Sequence, residues 1–375
     1  MTYDFISQIM KLTRTLTENR YRVTHEVGPA ESGQRLDLFL KRRYPKRSRR
    51  KIQRSIDEGS VKLHRTQNEF HPVPPCLKAS TLVLDQDSIE VLTERRIEPP
   101  VNFDFTVLFE DDFFLVINKP ANLPVHPAGR YFFNTLFIYL RTKYKKKTTD
   151  EFYLIHRIDR ETSGVLVIAK KKFLCEQMLQ QFKSKKIKKT YLALTHGKPF
   201  TSNPISVDQP IGSALESQIR LKMGIREVTS GGQEAQTEFQ PLQSFSDTED
   251  RHFTLWHCFP RTGRQHQIRV HLDHLGHPLV GDKLYGIDEK KVMYFFDTAS
   301  YQKRMKDDPE CLDHFLDLPK PLKDQLILDR HALHAYEIKF HHPITQKQLT
   351  IKAPLPDDLK EFCDSLKTTQ NHHRF

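Results

Sequence analysis

HRIDRETSGVLVIAKK, residues 156–171, sets one carboxylate, Asp159, between Arg157 and Arg160 and just ahead of an apolar run. Val165, Leu166, Val167, Ile168 and Ala169 follow the turn-prone Thr162, Ser163 and Gly164, which is the pattern of a core strand. Asp159 is therefore expected on a loop that projects from a rigid sheet. If a flanking guanidinium points inward, the charged carboxylate is favoured and its pKa falls. An ionised Asp suits attack on an electrophilic carbon. A lone Asp–Arg pair is usually a weak surface ion pair, so the weight rests on the long string around it.

A second dense stretch is CFPRTGRQHQIRVHLDHLGHPLVGDKLYG, residues 258–286. Gly263 supports a tight turn. Gln267, Arg269 and His271 alternate with Ile268, Val270 and Leu272, so the spacing predicts a strand with one polar and one apolar face. Inward-pointing polar residues need partners. If the partner of Arg269 is Asp159, a bidentate pair fixes the carboxylate and keeps it ionised.

The 375 residues suggest one large domain of about 250 residues plus a small one. Lys and Arg number 59 against 47 Asp and Glu, and the net charge of +12 fits a polyanionic partner. No apolar stretch approaches the roughly 18 to 20 residues that span a bilayer, and the first residues lack a secretory apolar core. A soluble protein with no membrane association is expected. Cys76, Cys175, Cys258, Cys311 and Cys363 are scattered and contain no C-x-x-C. That argues against disulfides and thiolate zinc and for a cytoplasmic setting.

Residues 1–20 look like an amphipathic extension, with Phe5, Ile9, Met10 and Leu12 opposite Lys11 and Arg14, and a docking helix is expected. Residues 21–96 read as a small α/β domain: a strand from Tyr21, two helical patterns, then a strand from Val61 after Gly59. Its second helical pattern opens on Lys46, Arg47, Arg49, Arg50, Lys51 and Arg54, a basic run on a folded face that can track phosphates. Glu98, Pro99 and Pro100 mark a linker at 97–104. The larger domain, 105–360, mixes a helix at 173–184 with many short strands, including 153–158, so the fold class is α+β with a largely antiparallel sheet. Residues 286–329 read as a charged insertion and 361–375 as a C-terminal tail.

HRIDRETSG, KPANLPVHPAGR at 119–130, KKTYLALTHG at 188–197, TGRQHQIRVHL at 262–272 and ALHA at 332–335 together resemble, in order and spacing, the RluA-type family of RNA pseudouridine synthases. The stretch from Arg35 through the basic run is similar to the small S-four-like RNA-binding domain of ribosomal proteins. The resemblance implies that Asp159 is catalytic, that Tyr191 packs on the target uracil and that Arg269 pairs with the aspartate. It also implies that Arg157 fills the gap left by the extracted nucleotide and that Leu333 is part of the apolar wall under the base. His156, Arg264 and Gln267 join these as expected substrate contacts. Arg35, Lys46, Arg47, Arg49, Arg50, Lys51 and Arg54 are expected RNA contacts.

Uridine-to-pseudouridine conversion is an isomerisation, so no cofactor and no metal are expected. The partner is RNA, ribosomal RNA ahead of transfer RNA, bound by a monomer. Basic clusters at 141–147, 170–172 and 183–189 are expected along its path. A metal-dependent hydrolase is the competing class, given His266, His271, His274 and His277. Neither an H-E-x-x-H nor a carboxylate pair accompanies them. A non-catalytic RNA-binding module is the third reading.

Overall fold

The computed structural model describes residues 12–17, 19–45, 47–65, 72–94, 98–128, 131–144, 151–217, 219, 221–289 and 325–371. The chain divides into two compact units, Met1–Arg96 and Ile97–Phe375.

In the first unit, strands β1 (Leu12–Leu16), β2 (Arg20–Glu26), β3 (Val61–His64) and β4 (Ser88–Glu94) form an antiparallel sheet in the order β1-β2-β4-β3. Helices α1 (Leu36–Arg43) and α2 (Arg49–Asp57) close a core of Leu36, Phe39, Leu40, Ile52, Ile56, Val61, Leu63, Val83, Ile89 and Val91. Ser48 caps α2 by accepting the Lys51 N–H, and Gly59 ends the turn after it with φ +73°. The docking helix expected over 1–20 gives way at Leu12–Leu16 to a strand paired with β2. Its residues 1–11, with Phe5, Ile9 and Met10, lie outside the described residues.

The second unit is built on an eleven-stranded, mainly antiparallel sheet. Its strands are β5 (Thr106–Glu110), β6 (Phe114–Lys119), β7 (Tyr153–Leu154), β8 (Ser163–Ala169), β9 (Lys188–His196), β10 (Ile205–Val207), β13 (Thr237–Ser246), β14 (His252–Pro260), β15 (Leu333–His341), β16 (Gln348–Lys352) and β17 (Lys367–Asn371), while β11 (Ile211–Ser213) and β12 (Met223–Ile225) make a separate hairpin. The main path runs β10-β13-β14-β9-β15-β8-β6-β5. The strand expected over 153–158 is only two residues long, because the chain then leaves the sheet as the loop that carries Asp159.

Every residue of β8 is buried, as its unbroken apolar run requires. Helix α3 (Phe173–Lys183) covers one face through Leu174 and Met178. Strand β15 is the junction of the sheet, parallel to β8 and antiparallel to β9. Its Ala335 lies across from Gly164 on one side and Tyr191 on the other. Gly164 has φ +109°, and a β-carbon there would sit 2.2 Å from the Ala335 carbonyl oxygen, so the close approach needs glycine.

Residues 267–274 form a helix, α4 (Gln267–His274), and the strand expected there is absent. Gln267, Ile268, Arg269, Val270, His271 and Leu272 are all buried, polar and apolar alike. With every side of the helix enclosed, polarity ceases to mark its outer face, and an accidental period of two remains in the sequence. A final helix, α5 (Asp357–Ser365), is held by the Asp358–Arg330 ion pair at 2.6 Å. The expected linker also packs inward, with Glu98 accepting the backbone N–H groups of Phe133 and Asn134 at 2.9 and 2.7 Å. Of the expected insertion, residues 290–324 lie outside the described residues.

Candidate active site

Asp159 sits between β7 and β8 on a loop tied down from several directions. Lys119, fully buried, donates to the carbonyls of Pro120, Leu123 and Arg160 at 2.7, 3.1 and 3.0 Å. The Thr162 hydroxyl meets His331 at 2.8 Å, Ser163 meets His334 at 2.9 Å, and Glu161 accepts from Lys283 at 2.8 Å. Arg160 donates to the Tyr131 hydroxyl and to Glu161. Arg157 is exposed at the cleft. The guanidinium that bonds Asp159 comes from neither neighbour in the chain. It is that of Arg269.

Arg269 is 5% exposed. Its Nη1 donates to Oδ2 of Asp159 at 3.2 Å, while Nε and Nη2 donate to the two oxygens of Asp282 at 2.7 and 2.8 Å. The bidentate pair expected for Asp159 therefore belongs to Asp282. Asp282 is itself fixed by the backbone N–H groups of Leu284 and Tyr285. The guanidinium also lies 5.0 Å from the Tyr285 ring centroid. Such a fork locks the arginine's plane and leaves one amino group for the carboxylate in the cleft.

Burial alone would raise the Asp159 pKa, but His266, Arg269 and Arg157 outweigh it and hold the carboxyl below its usual range. His266 contributes only when protonated, and burial together with Arg269 pushes its own pKa down to about 4. At neutral pH the positive charge is thus chiefly that of Arg269. The Tyr285 hydroxyl accepts the Met223 N–H at 3.0 Å and lies 3.0 Å from Nδ1 of His266. When that hydroxyl donates to Nδ1, the neutral imidazole carries its proton on Nε2, 4.0 Å from Oδ2 of Asp159. His266 adopts φ +55°, an uncommon backbone state for a non-glycine residue, at the entry to α4.

These groups open on a cleft of about 670 Å³ lined by His156, Arg157, Asp159, Lys189, Tyr191, Arg264, His266, Gln267, Arg269 and Leu333, among others. Every site residue expected in the larger domain is therefore at one place. Tyr191 comes from β9 and Leu333 from β15, and burial raises the Tyr191 hydroxyl's pKa, with Asp159 adding to it. His156 accepts the Val167 N–H through Nε2 at 2.9 Å, and burial, with Lys189, lowers its pKa to about 3. It satisfies a backbone donor of β8 as a neutral ring. Arg264 reaches the Glu234 carbonyl at 2.8 Å.

Gln267, expected as a substrate contact, lines the cleft with its amide bonded within the protein. Its amide oxygen accepts from the Thr262 hydroxyl and the Arg264 N–H at 2.7 and 2.9 Å, and its amide nitrogen donates to Gln236 and Thr237, both at 2.9 Å. With donors and acceptor so engaged, it shapes the turn before α4. His271 is likewise occupied, by Thr237 and the Gln209 carbonyl at 3.0 and 2.9 Å. Among the described residues, no group of three or more His, Cys, Asp or Glu could hold a metal ion.

The chain matches the model of the RNA pseudouridylate synthase family over residues 113–274. It is 30% identical over 342 residues to "Ribosomal large subunit pseudouridine synthase C" of Buchnera aphidicola subsp. Baizongia pistaciae, covering 90% of this chain and 96% of that protein. It is 31% identical over 339 residues to "Ribosomal large subunit pseudouridine synthase D" of Blochmanniella floridana, again covering 90% and 96%.

The chain belongs to the RNA pseudouridine synthase family. The resemblance carried by HRIDRETSG and TGRQHQIRVHL is borne out, and so is the α+β, largely antiparallel fold class. The human RNA pseudouridylate synthase domain containing 1 protein shares the fold, with a TM-score of 0.52 and 22% identity over 73% of this chain and 93% of that one. As a pseudouridine synthase the protein is an isomerase that acts on RNA. Among the described residues no helix is long and apolar enough to cross a membrane.

Sequence reasoning missed Asp282 and Tyr285 and gave His266 no place beside Asp159. Asp282 was visible as the acidic residue of GDKLYG, inside a stretch otherwise rich in cations. In the first unit, Arg35 and Arg49 both pair with the fully buried Asp37, at 3.0 and 2.8 Å, so part of the basic run holds the fold. Burial would raise the Asp37 pKa, and these two arginines more than reverse it. Arg54 pairs with Glu58, Arg47 lies over the Tyr44 ring, and Arg50 and Lys51 are exposed. Lys46 lies outside the described residues.

Proposed function

We propose that this pseudouridine synthase modifies uridines of ribosomal RNA, with Asp159 as its catalytic carboxylate. The observation that carries the reading is Asp159 itself, held ionised by Arg269 at 3.2 Å in a cleft that it shares with Tyr191. During the reaction the bond from ribose C1′ to N1 breaks, the uracil turns, and C5 bonds to C1′ before losing its proton. The Asp159 carboxylate faces the electron-deficient ribose. The Tyr191 ring holds the detached uracil by stacking. Leu333 walls the base pocket, and Arg157, exposed at the cleft, fills the space that the extracted nucleotide leaves in the RNA, offsetting part of the unstacking cost of a few kcal/mol.

The ribosomal target is supported by the names of the relatives, both of which are large-subunit enzymes. The first unit acts as an S-four-like RNA-binding domain, and its exposed Arg50 and Lys51 contact phosphates. Cys76, Cys175, Cys258 and Cys363 are free thiols, which suits a monomer working in the cytoplasm.

The test is pseudouridine mapping by carbodiimide labelling and reverse transcription, on total RNA from cells with and without the gene, complemented by wild type or Asp159→Asn. Loss of ribosomal sites restored by wild type alone supports the proposal. Sites lost only from transfer RNA would overturn the ribosomal target and keep the chemistry.

A further inference from the structure

Lys189 differs from the other cations of the cleft. It lies two residues before Tyr191 on β9, so the two side chains share a face of the strand, and both line the cleft. Lys189 is half-buried, and its Nζ donates to the Thr262 carbonyl at 3.1 Å. Among the described residues no carboxylate lies within ion-pairing distance of it. An ammonium has three donors, and a carbonyl satisfies one of them without cancelling the charge.

The groups around it do not supply the missing negative charge. From the catalytic loop come His156, neutral and bonded to Val167, Arg157, and Asp159, which is bonded to Arg269. From the end of α3 come Lys183 and Lys185. The turn after β14 brings Arg261 and Arg264, and α4 and its entry bring His266 and Arg269. Glu234 also lines the cleft, outside ion-pairing distance of Lys189. Beside Lys189 on its own strand, Tyr191 is a neutral phenol.

We propose that Lys189 binds a backbone phosphate of the RNA next to the target nucleotide. The inference rests on the cleft being the site of the target uridine and adds a specific anion contact to it. A phosphodiester brings one negative charge and acceptor oxygens, which are what the half-buried ammonium lacks. Burial lowers the Lys189 pKa to about 8, whereas exposed lysines titrate near 10.4 and arginines stay charged. A bound phosphate favours the protonated amine, so RNA binding is linked to proton uptake at mildly alkaline pH.

The test measures the binding of a fluorescein-labelled oligouridylate to the full chain from pH 7 to pH 9, in three variants: Asp159→Asn, and Asp159→Asn combined with Lys189→Arg or Lys189→Gln. Asp159→Asn alone is expected to lose about tenfold in affinity over that range, the value for one group titrating near 8. The Lys189→Arg form is expected to bind with no such loss. The Lys189→Gln form is expected to bind weakly throughout, with the slope of log affinity against log salt reduced by about one. The same pH dependence in the Lys189→Arg form, or pH-independent binding by Asp159→Asn alone, would overturn the Lys189 contact while leaving the RNA site intact. No binding at pH 7 with Lys189 present would overturn both readings.

Discussion

Arg269 spends two of its donors on Asp282 and reaches Asp159 with a third. The carboxylate in the cleft is oriented by an arginine that is oriented by a second, fully buried carboxylate. Lysine lacks the planar fork that holds both. Arg269→Lys keeps a positive charge and is expected to lower kcat by about 10- to 100-fold, the worth of one charge-assisted hydrogen bond of about 1.5–3 kcal/mol. Single-turnover kinetics alongside RNA binding would check this. A rate within twofold of wild type would show that charge alone suffices.

Asp282→Asn acts on the same pair from behind. It leaves Arg269 in place but removes its buried counter-charge, which typically costs about 3–5 kcal/mol. A drop of that size in chemical denaturation is expected, with Asp159→Asn showing no comparable loss.

His266 presents an Nε2–H to Asp159 when the Tyr285 hydroxyl donates to Nδ1. His266→Ala is expected to cut the rate by about tenfold with RNA affinity unchanged, and Tyr285→Phe to do part of the same through the tautomer. A His266→Ala variant that raises KM and spares kcat would place the residue in binding instead.

His334 is fully buried between the Ser163 hydroxyl and the Ala353 carbonyl, and burial lowers its pKa to about 4. The unfolded state takes up the proton near pH 6.5 and the folded state only near 4, so stability is fully present above 6.5 and falls as pH drops between these values. The loss at pH 5 is about 2 kcal/mol from this residue. His334→Gln should flatten the slope of unfolding free energy between pH 7 and pH 5. An unchanged slope would assign that dependence to other groups.

Gly164→Ala is expected to destabilise the protein by about 3 kcal/mol or more, because the added carbon meets the Ala335 backbone at a positive φ. Thermal unfolding of the variant measures this directly.

Most strands of the larger unit were legible because their residues repeat with a period of two or form short unbroken apolar runs, as β8 does. Asp159, Tyr191 and Leu333 were legible through motifs around them. The helix at 267–274 was not, since a segment enclosed on all sides carries no amphipathic period. Nor was the Arg269–Asp282 fork, whose partners are thirteen residues apart and meet only through the fold. The strand at Leu12–Leu16 escaped for another reason. Its pairing with β2 is a tertiary preference that overrode a weak helical pattern.

Strand β15 has a consequence for when the enzyme comes alive. The Asp159 loop hangs from β8 and Tyr191 from β9, and these two strands do not pair with each other; β15 lies between them. A nascent chain that has not yet extended past residue 333 holds Asp159, Tyr191 and Arg269 but no strand to set them side by side. Competence therefore waits on β15, and a chain cut short before that strand keeps its site residues without the strand that aligns them.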